Sequence, residues 1–258
     1  QCIAHSHNSN SNFNKLTKTL HTINKKRLNK LADVRLACSD AAGHFIFGNS
    51  DFEVIKNGID TEKFSFNHAY RDEIRREFDI GDRFMLCHVG MFAPVKNHEF
   101  LIDIFASVVK KHPDSVLLLV GTGSETEKIR EKVSGLGLSE KVIFAGRRTD
   151  VEKIMSAADA FVLPSHFEGL PLVLVEAQSS GLNCFVSDAV PEEAKLLDNL
   201  EFIPLDIGAE AWADRILSAA LNTDRASASA VVAAAGYDCK LTAARIEEIY
   251  SQQIALCL

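Results

Sequence analysis

Residues 160–177 read Ala-Phe-Val-Leu-Pro-Ser-His-Phe-Glu-Gly-Leu-Pro-Leu-Val-Leu-Val-Glu-Ala. The first apolar run predicts a buried strand over 160–163. The second predicts a helix that begins at Pro171, because a proline ring fixes φ and the first helical position needs no N–H donor. A strand that passes through a short polar loop into a helix is the repeating unit of α/β proteins, so this stretch predicts an α/β fold.

Two carboxylates mark this stretch, with seven uncharged residues between them. Glu168 lies in the predicted loop, and Glu176 lies inside the helix, roughly 7 Å from its start at 1.5 Å per residue. The free N–H groups at a helix start favour phosphate, and Gly169 lets a ligand approach the backbone closely. The spacing therefore predicts that the two glutamates bind the two ends of a sugar–diphosphate–nucleoside. A buried helix with two surface glutamates remains the alternative from this stretch alone.

The surrounding sequence repeats the same unit. Near-continuous apolar strands alternate with helices, which is typical of a parallel sheet covered on both faces; the strands are predicted at 84–89, 116–120, 142–145, 160–163 and 183–187. Ligands of such sheets bind at the carboxyl ends of the strands. The loops there share glycine and polar residues and all fall on one edge of the sheet: Gly90–Lys96, Gly121–Gly123, Gly146–Asp150 and Pro164–Leu170. This clustering favours the binding-site hypothesis.

Several motifs exclude other chemistries. Gly121-x-Gly123 follows a strand like a dinucleotide fingerprint, but Thr126 stands where the third glycine belongs, which disfavours an NAD site. The sequence has no Asp-x-Asp and no His/Cys cluster at metal-ligand spacing, so we predict no metal and no cofactor. Lys96 ends its loop as a point charge for a phosphate, unless it is only solvated.

Composition limits the class of protein. The 258 residues are 47% apolar with a formal net charge of −7, which suits a globular domain and argues against nucleic acid as a partner. The six cysteines are scattered, several of them in apolar runs, so we expect reduced thiols and a cytoplasmic protein. The sequence also lacks an apolar run of roughly 20 residues that could span a membrane.

A basic amphipathic helix is predicted near the start of the chain, over residues 13–32. One face is apolar, and the other carries basic residues without an acid: Lys15, Lys18, Lys25, Lys26, Arg27 and Lys30. Such a helix can lie against anionic lipid headgroups, which predicts peripheral contact with the inner face of the plasma membrane. A solvated face on an ordinary core helix is the alternative.

The ordered motifs resemble a known family. The matching segments are Gly90…Lys96-Asn97, Leu118–Gly123, Val142–Val151 and Pro164–Ala177, joined upstream by His5–Asn8 and Asn57–Asp60 and downstream by Tyr237-Asp238. Together they are similar to the family-4 retaining glycosyltransferases of the GT-B fold, and above all to bacterial exopolysaccharide and capsular-polysaccharide members. The resemblance covers nearly the whole chain. It implies two facing Rossmann-like domains with a nucleotide sugar between them.

The resemblance also implies donor-site roles for matching residues. Glu176 would accept hydrogen bonds from the ribose, and Glu168, with the amides of Gly169 and Leu170, would hold the donor sugar and its phosphate. Lys96 on the Gly90 loop would neutralise the leaving diphosphate, which is an electrostatic stabilisation of the transition state.

Two further roles are implied outside this group. Arg147 would line the base pocket. His7 would contact the transferred sugar from the first domain, with His5 as the second candidate. The resemblance implies a reaction that moves a sugar from a UDP-linked donor onto a glycan or lipid-linked acceptor of a surface polysaccharide, with retention and without a metal.

The chain departs from the family pattern in two ways. Met91 stands where the family usually has an arginine, and methionine cannot donate a hydrogen bond to phosphate. The first domain looks incomplete, with 1–60 as its C-terminal remnant, 61–238 as the nucleotide-sugar domain and 239–258 as a helix that returns toward the first domain. Two alternatives stay open: a catalytically impaired nucleotide-sugar-binding domain, and another GT-B enzyme such as a sugar-nucleotide epimerase.

Overall fold

The computed structural model describes residues 2–7, 15–219 and 224–255, of which 15–19 are described by backbone alone. The elements in chain order are β1 (Ile3–Ser6), α1 (Lys15–Leu31), β2 (Val34–Ala37), α2 (Asp40–Phe47), β3 (Glu53–Val54), α3 (His68–Glu77), β4 (Phe84–Val89), α4 (His98–Lys111), β5 (Ser115–Val120), α5 (Thr126–Gly135), β6 (Val142–Gly146), α6 (Val151–Ala157), β7 (Ala160–Leu163), α7 (Leu172–Ser179), β8 (Asn183–Ser187), β9 (Leu200–Ile203), α8 (Gly208–Ser218), α9 (Ala228–Val232) and α10 (Cys239–Ala255). The chain divides into two compact units, one of Gln1–Ile59 with Gly236–Leu258 and one of Asp60–Ala235.

The first unit contains a parallel sheet in the order β1-β2-β3. Apolar residues of β2 are buried on both faces of this sheet: Ala37 belongs to one apolar cluster and Leu36 to another. Leu36 packs with Ile55 and with Ile249 of α10, so the last helix is part of this core. The hydroxyl of Ser39 accepts a hydrogen bond from the Ala42 N–H and caps α2.

Two distant segments meet where the first unit ends. Ile59 forms a parallel bridge with Asp238. The Ile59 N–H donates to the Tyr237 carbonyl and the Cys239 N–H donates to the Ile59 carbonyl, both at 2.8 Å. Gly58 is required here, because a Cβ would lie 2.6 Å from the Cys239 Cα. The chain therefore leaves the first unit and re-enters it at adjacent backbone positions.

The second unit is built on a six-stranded sheet in the order β6-β5-β4-β7-β8-β9, with every pairing parallel. β5 and β8 are buried along their whole length, since helices cover both faces. Trp212 of α8 is fully buried, and its indole N–H donates to the Pro204 carbonyl at 2.9 Å. This tryptophan is a packing residue.

The prediction of an α/β chain with parallel sheets is confirmed. Three details differ from expectation. β9 was not predicted, because its four residues include Glu201 and give too short an apolar run. Pro171 is the residue before α7, with an extended ψ of 105°, so the helix begins at Leu172. The predicted helix 13–32 is described from Lys15 to Leu31, and its first two residues lie outside the described part of the chain.

Candidate functional site

Sheet topology sets the position of the candidate site in the second unit. In this sheet β4 comes first along the chain, and β5 and β6 are added on one side of it. β7 then pairs with the other side of β4, followed by β8 and β9. The reversal lies between β4 and β7. In open parallel sheets this point leaves a crevice at the carboxyl ends of the two strands, where ligands bind. The loops that follow β4 and β7 are Gly90–Lys96 and Pro164–Leu170.

Lys96 and Glu168 meet across this crevice. The Lys96 Nζ lies 2.6 Å from Glu168 Oε1, and the Ser165 hydroxyl donates to the same oxygen at 2.7 Å. The side chains of Lys96 and Glu168 are only 18% and 10% exposed. Ser187 of β8 holds Ser165 in turn, with its hydroxyl donating to the Ser165 carbonyl at 2.5 Å. The structure thus brings together two predicted site residues 72 positions apart.

The paired glycines after β5 make room for the Gly90 loop. Gly121 has a φ of +133°, and a Cβ there would lie 2.0 Å from the Gly90 carbonyl oxygen. A Cβ on Gly123 would lie 2.3 Å from the Phe92 carbonyl oxygen. Backbone hydrogen bonds join the same two loops, since Gly90 N–H donates to Val120 and Phe92 N–H to Thr122. The Gly121-x-Gly123 motif therefore leaves the space into which the Gly90 loop packs.

Glu176 lies in the second turn of α7 and is partly buried. Burial raises the pKa of Glu176 to about 7; Lys63 opposes this shift, and Glu152 adds to it. Lys63 and Glu152 form an ion pair at 3.3 Å. This end of the candidate site therefore carries a carboxyl group whose charge changes near neutral pH, with one cation and one further acid beside it.

Two further predicted donor-site residues, Gly169 and Arg147, are exposed, and so is Met91. A Cβ on Gly169 would meet no atom within 4 Å, so the loop before α7 is open. Arg147 is exposed, whereas its neighbour Arg148 is paired with Glu77 at 2.6 Å. Met91 is 63% exposed at the tip of the Gly90 loop. Their positions on the same sheet edge agree with the predicted arrangement, and their roles stay predictions.

His7 and His5 belong to the first unit. The His7 Nδ1 lies 3.0 Å from Asn57 Oδ1, and the two imidazole rings are 4.1 Å apart. Burial, and then the neighbouring His7, lower the pKa of His5. Both imidazoles are exposed, and His7 directly follows the last residue of β1. Its contact with a transferred sugar stays a prediction.

Sequence reasoning missed several residues around the site. Ser165 lies inside the segment Pro164–Ala177 but was given no role there, although it donates to Glu168. Ser187, which holds Ser165, and the ion pair Lys63–Glu152 beside Glu176 were given no role either. Two buried histidines, His88 and His98, were also missed. A signal existed for His88, since a histidine inside the apolar run Phe84–Val89 breaks the strand pattern.

The described residues contain neither a candidate metal site nor a candidate membrane span. No group of three or more His, Cys, Asp or Glu side chains within 2–7, 15–219 and 224–255 is arranged to hold a metal ion. The prediction of a metal-free reaction stays a prediction. In the same part of the chain, no helix has both the length and the apolar character needed to cross a membrane.

Comparisons with known proteins agree on one family. Residues 70–233 match the family model described as glycosyl transferases group 1. The chain is 32% identical over 260 residues to the putative glycosyltransferase EpsF of Bacillus subtilis, covering 96% of this chain and 68% of that protein. It is 35% identical over 141 residues to the Escherichia coli UDP-Gal:alpha-D-GlcNAc-diphosphoundecaprenol alpha-1,3-galactosyltransferase, covering 52% of this chain and 36% of that enzyme.

A solved structure is similar along almost the whole chain. The structure of Anabaena HepE in complex with UDP superposes with a TM-score of 0.78 and 23% sequence identity, covering 97% of this chain and 72% of that one. At this level of identity the likeness concerns the fold.

Proposed function

Because the chain belongs to the glycosyl transferases of group 1, we propose that its second unit binds a UDP-linked sugar at the β4–β7 crevice for transfer to an acceptor. The observation that carries this proposal is the Lys96–Glu168 pair at 2.6 Å between the two loops of the switch point. UDP is favoured because the E. coli relative is named for UDP-Gal and HepE was solved with UDP.

Each donor group has a matching residue in this proposal. The diphosphate lies over the Gly90 loop, where Lys96 supplies the positive charge. The amides of Gly169 and Leu170 lie just before the start of α7, whose helix dipole favours the same anion. Glu176 in the second turn accepts hydrogen bonds from the ribose hydroxyls, and Arg147 borders the base.

The leaving group is stabilised by charge already present in the site. As the sugar–phosphate bond breaks, negative charge grows on the diphosphate, and Lys96 is the cation nearest to it in the loop. Lys96 then shifts its interaction from Glu168 toward the phosphate. Glu168 is released to accept hydrogen bonds from the sugar. Retention of the anomeric configuration and a metal-free reaction are part of the proposal.

Binding and turnover together test the proposal. We expect the purified chain to bind UDP more tightly than GDP by calorimetry. Glu168→Gln and Glu176→Gln should each weaken binding or slow release of UDP from a UDP-sugar. Lys111→Met is the control, because Lys111 is also ion-paired, at 2.5 Å to Asp214, but lies at the far end of α4. Unchanged binding and turnover in both glutamate variants would overturn the site assignment.

The second candidate is an impaired binding domain, and Met91 is the observation that favours it. The family's arginine would place a second cation over the diphosphate, and Met91 offers none. If the chain binds UDP without turnover and Met91→Arg restores turnover, this candidate is correct. If wild type turns over and Met91→Arg changes little, it is wrong. Epimerisation of the UDP-sugar in the absence of an acceptor would instead identify the epimerase alternative.

The acceptor is proposed to be a lipid-linked glycan of surface-polysaccharide assembly, reached at the inner face of the plasma membrane. The E. coli relative is named for a diphosphoundecaprenol acceptor. In α1, Leu20 and Ile23 are 54% and 45% exposed, and Lys26 and Lys30 are exposed as well. Apolar and basic side chains on one helix favour an anionic lipid surface.

Vesicle binding tests the membrane contact. We expect vesicles with anionic lipid to retain the chain at low salt and Lys26→Glu with Lys30→Glu to release it. Lys25→Glu is a weaker probe, because Lys25 lies 4.3 Å from the centroid of the Phe45 ring. Equal retention by neutral vesicles, or by the double variant, would contradict the proposal.

A further inference from the structure

Two histidines are buried directly beneath the Gly90 loop, and the proposed reaction does not use them. His88 is the fifth residue of β4, and His98 is the first residue of α4, so they stand at the two ends of the loop. They are 0% and 2% exposed. Their rings lie 4.6 Å apart at 77°.

The hydrogen bond of His88 fixes its tautomer. His88 Nδ1 lies 2.8 Å from the Val162 carbonyl oxygen, across the β4–β7 boundary. A carbonyl only accepts, so Nδ1 carries the proton and Nε2 is left with a lone pair. That Nε2 lies beneath the loop, 3.0 Å from the position of a Cβ on Gly90. A side chain at position 90 would therefore press against the imidazole, and glycine avoids this contact.

His98 is held by rings on two sides. Its ring stacks on Phe92 of the loop with centroids 4.1 Å apart, and its edge faces His88. It also borders a cavity of about 510 Å³, together with Asn97, Glu125 and His166. The cavity lies beside the ring, but both ring nitrogens are buried.

Three ring nitrogens of this pair are buried and have no hydrogen-bond partner among the described residues: His88 Nε2, His98 Nδ1 and His98 Nε2. Burial is the main cause that lowers the pKa of His88 to about 3 and of His98 to about 4, and Lys96 lowers both further. Both rings are thus neutral, with one donor and two acceptors unmatched between them. Such groups lower stability relative to an apolar ring of similar shape.

We propose that His88 and His98 are positioning residues of the Gly90–Lys96 loop, and that their free nitrogens gain hydrogen-bond partners when a nucleoside diphosphate occupies it. The inference rests on the proposed donor site and identifies a further part of it. In the bound state, the N–H of neutral His98 donates toward the anion, directly or through water, and the lone pair of His88 accepts from a backbone N–H of the loop. This role explains why the two histidines stay beneath the loop although their partnerless nitrogens lower the stability of the unbound protein.

Replacing His98 by phenylalanine separates this role from simple packing. His98→Phe keeps the stack on Phe92 and removes both nitrogens. We expect its Tm to equal or exceed that of wild type, while its Kd for UDP rises roughly tenfold through loss of one hydrogen bond in the bound state. His112→Phe is the matched control, since His112 follows the last residue of α4 and meets Phe84 edge-on at 5.9 Å. We expect it to keep the wild-type Kd.

A second measurement reads the rings themselves. In ¹⁵N spectra of histidine-labelled wild-type protein, we expect His88 as the Nδ1–H tautomer and His98 as neutral at pH 7. Addition of UDP should shift the His98 ring nitrogens and leave those of His112 in place. The inference is wrong if His98→Phe binds UDP like wild type, or if UDP saturates the protein without moving these signals.

The two proposals can fail separately. If wild type does not bind UDP, the proposed function has failed, and inorganic pyrophosphate then serves as the probe of the loop. Shifts of the His98 nitrogens with pyrophosphate would support the positioning role. Their absence would overturn it.

Discussion

The two ends of the candidate site differ in how their charges are satisfied. At the phosphate end, Lys96 and Ser165 both bond to the Glu168 carboxylate, at 2.6 and 2.7 Å, and Gly121 and Gly123 leave the space that the Gly90 loop occupies. At the ribose end, burial holds the pKa of Glu176 to about 7, so its charge depends on the conditions. One end is therefore organised before any ligand arrives. The other end adjusts with pH and with the residues beside it.

The largest effect is expected from a substitution that fills the space into which the Gly90 loop packs. Gly121→Ala would place a methyl group 2.0 Å from the Gly90 carbonyl oxygen at a φ of +133°. We expect a loss of about 3 kcal/mol or more in unfolding free energy, measured by urea titration. Gly135→Ala is the control, since a Cβ there meets nothing within 4 Å. Similar stability in the two variants would show that the phosphate end is not preorganised.

The next effect is expected from breaking the central ion pair. Lys96→Met should raise the Kd for UDP tenfold to a hundredfold, the equivalent of about 1.5–3 kcal/mol for a charge-assisted hydrogen bond. It also leaves the Glu168 carboxylate with the Ser165 hydroxyl as its side-chain partner among the described residues, so the Tm should fall. Adding Glu168→Gln should recover the Tm but not the affinity. Recovery of both would mean that the pair serves stability alone.

The ribose end should respond to pH in two opposite directions. The folded pKa of Glu176, about 7, lies above its ordinary 4.5, so its contribution to stability is full at low pH and is lost as pH rises toward 7. Affinity for UDP should instead increase over that rise, because the carboxylate is the stronger acceptor for ribose hydroxyls. Glu176→Gln should flatten both profiles. Parallel profiles for the two quantities would contradict the role given to Glu176.

The smallest effect concerns the neighbours of Glu176. Lys63 lowers and Glu152 raises the pKa of that carboxyl. Lys63→Met should therefore move the midpoint of the pH–affinity profile upward, and Glu152→Gln should move it downward. Calorimetry at several pH values measures both shifts. Shifts of the same sign would show that the ion pair acts on folding and not on Glu176.

Family and fold were predictable from the sequence. The apolar runs predict the parallel sheet, and the glycine-rich loops in a fixed order identify the family. The predictions of a glycosyltransferase and of a GT-B fold are confirmed by the matching family and by the parallel sheets. The donor, the retaining mechanism, the domain assignment and the role of each site residue stay predictions.

Other features depend on distance in space and could not be read from local patterns. The Lys96–Glu168 bond joins residues 72 positions apart. Gly121 owes its identity to a carbonyl from another loop, although its spacing resembled a nucleotide motif. His98 carried no signal in the sequence, and its burial follows from its packing against Phe92 and His88.

The bridge between Ile59 and Asp238 has a consequence for the chain as a polymer. Because the two crossings of the backbone are hydrogen-bonded neighbours, Asp60–Ala235 is topologically an insertion into the first unit. An insertion whose ends are adjacent can be excised or circularly permuted without spanning a long gap. Such a segment can be exchanged between proteins as one continuous piece of chain, in evolution or by design.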